Sequence, residues 1–77
     1  MREEIRRLLQ QEPFRPFRIF VSDGAEYEIR NPQSTAVDQS TVSIVYQVLS
    51  TADTTVERIV RIALLHVARV EQMIPAE

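Results

Sequence analysis

The chain has no cysteine and no lysine, and it contains one glycine in 77 residues. Without cysteine, neither a disulfide framework nor a thiolate metal site can support a small core. A single glycine also excludes a glycine-rich phosphate-binding loop. Residues 1–7 carry charged side chains and no long apolar run, so they predict neither a secretory signal nor a membrane span. We therefore expect a cytoplasmic protein without a cofactor.

The charge of the chain gives little reason to expect a polyanionic partner. All nine basic residues are arginine, eleven residues are acidic, and the formal net charge is −2 at pH 7. A non-specific nucleic-acid binder would need its arginines gathered on one face with the acids elsewhere. Most of the arginines are instead expected to pair with acids.

The length predicts one small domain over residues 1–77. At this size a single hydrophobic core contributes only about 3–5 kcal/mol to folding. Because no disulfide can add to that core, we expect the protein to gain further burial by forming a homo-oligomer or by binding another protein.

The lone glycine, Gly24, predicts a tight turn, because glycine readily adopts the positive φ that such turns need. A two-residue loop at residues 23–24 would put the apolar stripe of the first strand on the same face as Glu26 and Glu28, and would bury charge. A three-residue loop at residues 22–24 makes every inward pair apolar. The predicted pairs are Val21 with Ala25, Ile19 with Tyr27 and Phe17 with Ile29, and the other face carries Arg18 opposite Glu28.

An amphipathic helix is predicted before this hairpin and a break after it. Apolar residues recur at helical spacing over residues 2–11, and Pro13 ends the helix. Residues 31–35 are typical of a turn-rich break, and residues 37–40 of an irregular connection.

A second hairpin is predicted in the second half of the chain. Residues 41–49 and 56–62 are β-branched runs on either side of a polar tip at residues 50–55. Residues 63–74 fit either a helix or a strand. We favour a turn at residues 64–66 and a last strand to about Met73.

This order of elements resembles the Sm-like barrels of the Hfq and LSm type, a subclass of the SH3-like barrels. The resemblance rests on residues 17–24, Phe-Arg-Ile-Phe-Val-Ser-Asp-Gly, for the first strand and turn. It also rests on residues 63–70, Ala-Leu-Leu-His-Val-Ala-Arg-Val, for the closing turn and strand. It implies a mainly β fold, with the N-terminal helix followed by a small five-stranded antiparallel barrel over residues 17–73.

A second resemblance rests on the Pro-Phe-Arg-Pro-Phe segment at residues 13–17 and the Asp-Gly hairpin that follows it. The pattern is similar to that of small uncharacterised bacterial proteins in which a short helix precedes this segment and a strand.

Two sets of residues are candidates for binding. Phe20 and Arg18 lie on the outward face of the first strand, where an exposed aromatic ring favours subunit packing or a partner surface. For the RNA-binding alternative, the candidate contacts are Arg15, Arg18, His66 and Arg69, because guanidinium groups contact phosphates and exposed rings stack bases. The competing interpretation is that these arginines form surface ion pairs and that His66 is a structural residue.

The sequence favours a non-enzymatic function. His66 is the only histidine, and no glycine-rich nucleophile elbow accompanies it. One histidine with scattered carboxylates is a weak metal-binding set, so no metal or catalytic residue is expected. We expect an oligomerising or protein-interaction module that acts through strand edges and the Phe20 surface, with an Sm-like RNA-binding ring as the alternative.

Overall fold

The computed structural model describes residues 1–49 and 55–73, and it contains one α-helix and six β-strands. Two short 3₁₀ turns, Pro32–Ser34 and Leu64–His66, interrupt the strands. The main elements are α1 (Arg2–Leu9), β1 (Phe17–Val21), β2 (Glu26–Ile29), β3 (Thr35–Val37), β4 (Thr41–Leu49), β5 (Thr55–Ala63) and β6 (Val67–Gln72).

The strands form two antiparallel sheets of three strands each. Sheet A has the order β2-β1-β6, and sheet B has the order β3-β4-β5. The chain crosses between the sheets twice, through Pro32–Ser34 on the way out and through Leu64–His66 on the way back. The prediction of a mainly β fold with an N-terminal helix is confirmed.

The number of strands differs from the expected five, and the described strands do not close into a barrel. The second strand is divided because Pro32 has no N–H to donate to a strand ladder. The Asn31 side chain also accepts a hydrogen bond from the Gln33 N–H at 2.9 Å, which turns the chain. Beyond the turn, Thr35–Val37 forms β3, so Val37 belongs to a strand and not to the predicted irregular connection.

The β1–β2 hairpin has the predicted three-residue loop and register. Phe17 pairs with Ile29 and Ile19 with Tyr27. The Val21 N–H donates to the Ala25 carbonyl at 2.9 Å, which closes the loop. Gly24 has φ +93°, the positive value for which glycine was expected.

The second half of the chain also follows the predicted order. β4 and β5 pair along their whole described length, and β5 begins at Thr55. The rest of the predicted tip, residues 50–54, lies outside the described residues. The turn Leu64–His66 and the last strand, β6, are confirmed, so the helical alternative for residues 63–74 was wrong where the chain is described.

The core lies between the two sheets and under the helix. α1 ends at Leu9, two residues earlier than predicted, because the backbone leaves helical geometry at Gln10 (φ −96°, ψ 2°), whose N–H still bonds back to the carbonyls of Arg6 and Arg7. Its apolar stripe buries Ile5 and Leu8. The buried residues of the described chain are all apolar: Ile5, Leu8, Phe17, Ile19, Ile29, Val42, Ile44 and Ile62.

Candidate functional site

The outward face of sheet A contains the candidate interface residues Phe20 and Arg18. Arg18 lies between Glu26 and Glu28, with nitrogen-to-oxygen distances of 3.6 Å to each. These contacts follow from the register, which places Arg18 opposite Glu28. The side chain of Arg18 is 43% exposed, so its two ion pairs stay in contact with water and contribute little to stability.

Phe20 is partly covered by a strand that comes from the other end of the chain. The guanidinium carbon of Arg69, on β6, lies 3.9 Å from the centre of the Phe20 ring. Arg69 also donates from Nε to a carboxylate oxygen of Glu71 at 2.8 Å. Phe20 is therefore half-buried on a charged surface, and one face of its ring is occupied by a cation–π contact.

The candidate RNA contacts do not converge on one place. Arg18 and Arg69 lie on neighbouring strands of sheet A and are both paired with glutamates. Arg15 precedes the start of β1, whereas the His66 carbonyl accepts a hydrogen bond from the Ser22 N–H, just beyond its end, at 2.8 Å. At about 3.3 Å per extended residue, the two ends of this five-residue strand lie roughly 13 Å apart.

A hollow of about 420 Å³ lies where the β1–β2 loop meets the end of β5. We call it the Arg61–His66 hollow, and its lining includes Ser22, Asp23 and Tyr27. Arg61 and His66 are exposed, and neither forms an ion pair in the part of the chain that the structure describes. The hollow thus presents two nitrogen-bearing side chains beside one carboxylate.

The same hollow brings a serine, an acid and a histidine near one another without forming a catalytic arrangement. The Asp23 carboxylate accepts a hydrogen bond from the Ala25 N–H at 2.9 Å, so it shapes the loop. Ser22, Asp23 and His66 are all exposed, and no hydrogen bond joins their side chains among the described residues. In a nucleophilic triad, the base bonds both the nucleophile and the acid.

A larger groove, of about 730 Å³, separates β2 from β4 and was not expected from the sequence. We call it the β2–β4 groove. Its lining includes the aromatic residues Tyr27 and Tyr46 and the charged residues Glu28, Arg30 and Arg58. Strands that are distant in sequence form its two walls, and periodicity within one strand gives no sign of such a space.

Tyr46 links the two walls of the β2–β4 groove. Its hydroxyl donates a hydrogen bond to the Glu28 carbonyl oxygen at 3.2 Å. Burial raises the pKa of Tyr46 above its ordinary value of 10.0, and the nearby Tyr27 and Glu28 raise it further while Arg58 opposes them. The phenol therefore remains a neutral donor at physiological pH.

The outer edges of β5 and β6 form a second surface feature. The sequence did not indicate which strands would lie at the edges of the sheets. In the described chain, β5 pairs with β4 alone and β6 with β1 alone. Val56 and Ile59 on β5 are 50% and 52% exposed. Unpaired strand edges with exposed apolar side chains are the usual templates for pairing with another chain.

Metal binding and membrane insertion are two further possibilities for the described residues. The described residues contain no group of three or more histidine and acidic side chains placed to hold a metal ion. None of the described helices has both the length and the apolar character needed to cross a bilayer.

Comparisons of the chain with protein-family models, with curated proteins and with solved structures found no match.

Proposed function

We propose that the protein is a non-enzymatic module that binds further copies of itself through the outer edges of β5 and β6. The observation that carries this proposal is the outer edge of β5, which pairs with no other described strand; β5 has nine residues and exposes Val56 and Ile59. Pairing with a second chain would satisfy the free main-chain groups and cover these side chains.

The β6 edge supplies a second surface next to the candidate interface. Arg69 on β6 lies over Phe20, so the edge of sheet A and the Phe20 surface are continuous. An interface here would bury the Arg69–Phe20 pair together with the strand edge. Contact between β5 of one copy and β6 of the next is heterologous, so it produces a ring or an open chain, whereas β5 against β5 produces a dimer.

We further propose that the two sheets are the halves of one SH3-like barrel. β2 and β3 would then be a single strand bent at residues 30–34, which reduces the six strands to five. The arrangement supports this interpretation because the chain passes from one sheet to the other at both the β2–β3 and the β5–β6 connection.

Light scattering on the wild-type chain and on Ile59→Lys tests the oligomer. We expect the wild type to have a multiple of the monomer mass and Ile59→Lys to fall toward the monomer, because a charge would have to be buried in the interface. Ala36→Lys is the matched control, since Ala36 is exposed on β3, at the opposite edge of the same sheet. A monomeric wild type overturns the proposal.

The alternative function is an Sm-like RNA-binding ring. The observation that favours it is the Arg61–His66 hollow, where two exposed nitrogen-bearing side chains lie close to the end of β5. The ion-paired Arg18 and Arg69 would contribute less to such binding, because each already contacts a carboxylate.

Fluorescence anisotropy with short U-rich and A-rich RNAs tests this alternative. RNA binding through phosphate contacts weakens steeply between low and moderate salt, whereas an apolar protein interface does not. Salt-sensitive binding that Arg61→Gln reduces would favour the RNA-binding ring. An oligomer that is indifferent to RNA would leave the protein-interaction module.

A further inference from the structure

The walls of the β2–β4 groove are two strand edges that face each other without pairing. β2 pairs with β1 alone among the described strands. β4 pairs with β3 only as far as Ile44, opposite Thr35. From Val45 to Leu49, β4 has β5 on one side and no described strand on the other. The two edges separate at the turn Pro32–Ser34, which sends β3 into the other sheet.

The main-chain groups of β2 that point into the groove can be identified from the hairpin. Antiparallel pairs alternate between residues that exchange hydrogen bonds and residues whose N–H and C=O point away. The bond from Val21 to Ala25 makes Ile19–Tyr27 the next bonded pair. Glu26 and Glu28 therefore turn their main-chain groups away from β1 and into the groove. The Glu28 carbonyl confirms this direction, because it accepts the hydrogen bond from Tyr46.

β2 and β4 do not pair with each other across the groove among the described strands. Paired strands lie about 4.7–4.9 Å apart, and their main chains bond directly. Here the bond that crosses from β4 to β2 is made by the phenol end of Tyr46, at 3.2 Å from the Glu28 oxygen. That oxygen has a second lone pair, so it can accept a further donor. The opening has a volume of about 730 Å³.

We propose that an extended segment of a partner protein inserts into the β2–β4 groove and pairs with β2 and β4 at once. Two facing edges need a strand whose own two edges are both free. β5 and β6 of a second copy do not meet this requirement, because each is already bonded on one side. A segment without a fixed strand neighbour does meet it, and strand addition of this kind gains affinity from main-chain hydrogen bonds.

The groove also sets the chemistry of the segment. Tyr27, Ile29 and Ile44 line it with apolar surface, which favours aliphatic or aromatic side chains at alternate positions. Glu28 already pairs with Arg30 and Arg18. Arg58 forms no ion pair within residues 1–49 and 55–73, so an acidic side chain in the segment complements it. This binding goes beyond the proposed self-association, which uses the outer edges of β5 and β6.

Selection of heptapeptides from a random phage-displayed library tests the proposal. We expect enriched sequences with alternating apolar residues and one acid. The enriched peptides are then synthesised, and their binding to the wild type, Glu28→Pro and Glu28→Gln is measured by fluorescence anisotropy. Proline removes the N–H that points into the groove and leaves the β1–β2 bonds in place, whereas glutamine keeps that N–H. Affinity should fall about tenfold or more for Glu28→Pro and stay within about threefold for Glu28→Gln.

Methylation of alternate main-chain nitrogens in the peptide provides a second measurement that does not depend on folding of the proline variant. Because successive N–H groups of a strand point to its two opposite edges, either set of alternate methyl groups should abolish binding, one set by blocking β2 and the other by blocking β4. No enrichment, or equal affinity for the wild type, Glu28→Pro and the methylated peptides, would overturn the proposal. A loss of light-scattering mass in Glu28→Pro without peptide would also overturn it, because the groove would then hold a second copy. Monomeric behaviour of the wild type would affect only the proposed self-association.

Discussion

The two hairpins of the chain relate differently to the core that they cover. In β1–β2, the inward residues Phe17 and Ile19 are completely buried, so the length of the strands matches the core. In β4–β5, Ile62 is buried, whereas Val56, on the same face farther out along β5, is half exposed, and Ile59 is half exposed on the opposite face. The core therefore covers the full length of the first hairpin, whereas β5 extends past the core and leaves Val56 exposed.

The largest expected difference between the hairpins is in the cost of truncating one side chain in each. Phe17→Ala should lower the free energy of unfolding by about 3–5 kcal/mol, which is comparable to the whole stability of a domain of this size. Ile59→Ala should change the stability of the monomer by no more than about 0.5 kcal/mol. Urea denaturation followed by circular dichroism measures both free energies. Similar losses in the two variants would contradict this difference between the hairpins.

A smaller loss of stability is expected from a substitution in the loop of the first hairpin. Gly24→Val should cost about 1–3 kcal/mol, because a β-branched residue is strained at φ +93°. No atom lies within 4 Å of a Cβ added there, so the loss would come from backbone strain and not from a clash. Gly24→Asn is the control, since asparagine tolerates positive φ better. Equal melting temperatures for glycine and valine would remove this account of the loop.

The hydrogen bond between the two hairpins should contribute still less to the stability of the fold. Tyr46→Phe removes the hydroxyl that bonds the Glu28 carbonyl, and we expect a loss of about 0.5–1.5 kcal/mol by thermal denaturation. Tyr27→Phe is the matched control, because the Tyr27 hydroxyl has no hydrogen-bond partner among the described residues. Equal melting temperatures for the two variants would show that this hydrogen bond does not stabilise the fold.

The smallest effect is expected at the entry to the second hairpin. The Asp38 carboxylate accepts hydrogen bonds from the N–H groups of Ser40 and Thr41, at 2.9 and 2.8 Å, and these lower its pKa below the ordinary value of 3.8. A lowered pKa stabilises the fold above the unfolded-state value, and the contribution is lost as pH falls through the folded-state value.

The melting temperature of the wild type should therefore exceed that of Asp38→Asn near neutral pH. The difference should disappear as pH falls well below 3.8, where the carboxyl is protonated in both the folded and unfolded states. A difference that does not change with pH would show that the charge of Asp38 has no part in shaping the entry to β4.

The sequence was sufficient for the first hairpin because two independent signals agreed. The single glycine located the loop, and the alternation of apolar residues selected the only register that kept Glu26 and Glu28 out of the core. The second hairpin and the last strand were also predictable, since β-branched runs and polar breaks mark them. β3 was not predicted because it has only three residues, which are too few to show an alternation of apolar and polar side chains.

The candidate site was less predictable because it depends on contacts between distant residues. The exposure of Phe20 could not be judged without knowing that Arg69, 49 positions later in the chain, covers its ring. The β2–β4 groove likewise exists because two strands diverge, and no pattern within either strand records that divergence. Local sequence patterns predict which face of a strand is apolar, but not which neighbour covers it.

The strand order also bears on how the chain folds. Sheet B is made from three consecutive strands, and β1–β2 is a local hairpin, so both can form at a small entropic cost. Sheet A is completed only when β6 reaches β1 and brings Gln72 opposite Phe17. Until that step, one edge of β1 is bare beside an incomplete core. The interval before β6 docks is therefore when a nascent copy is most open to exchanging its last strand with a neighbouring copy.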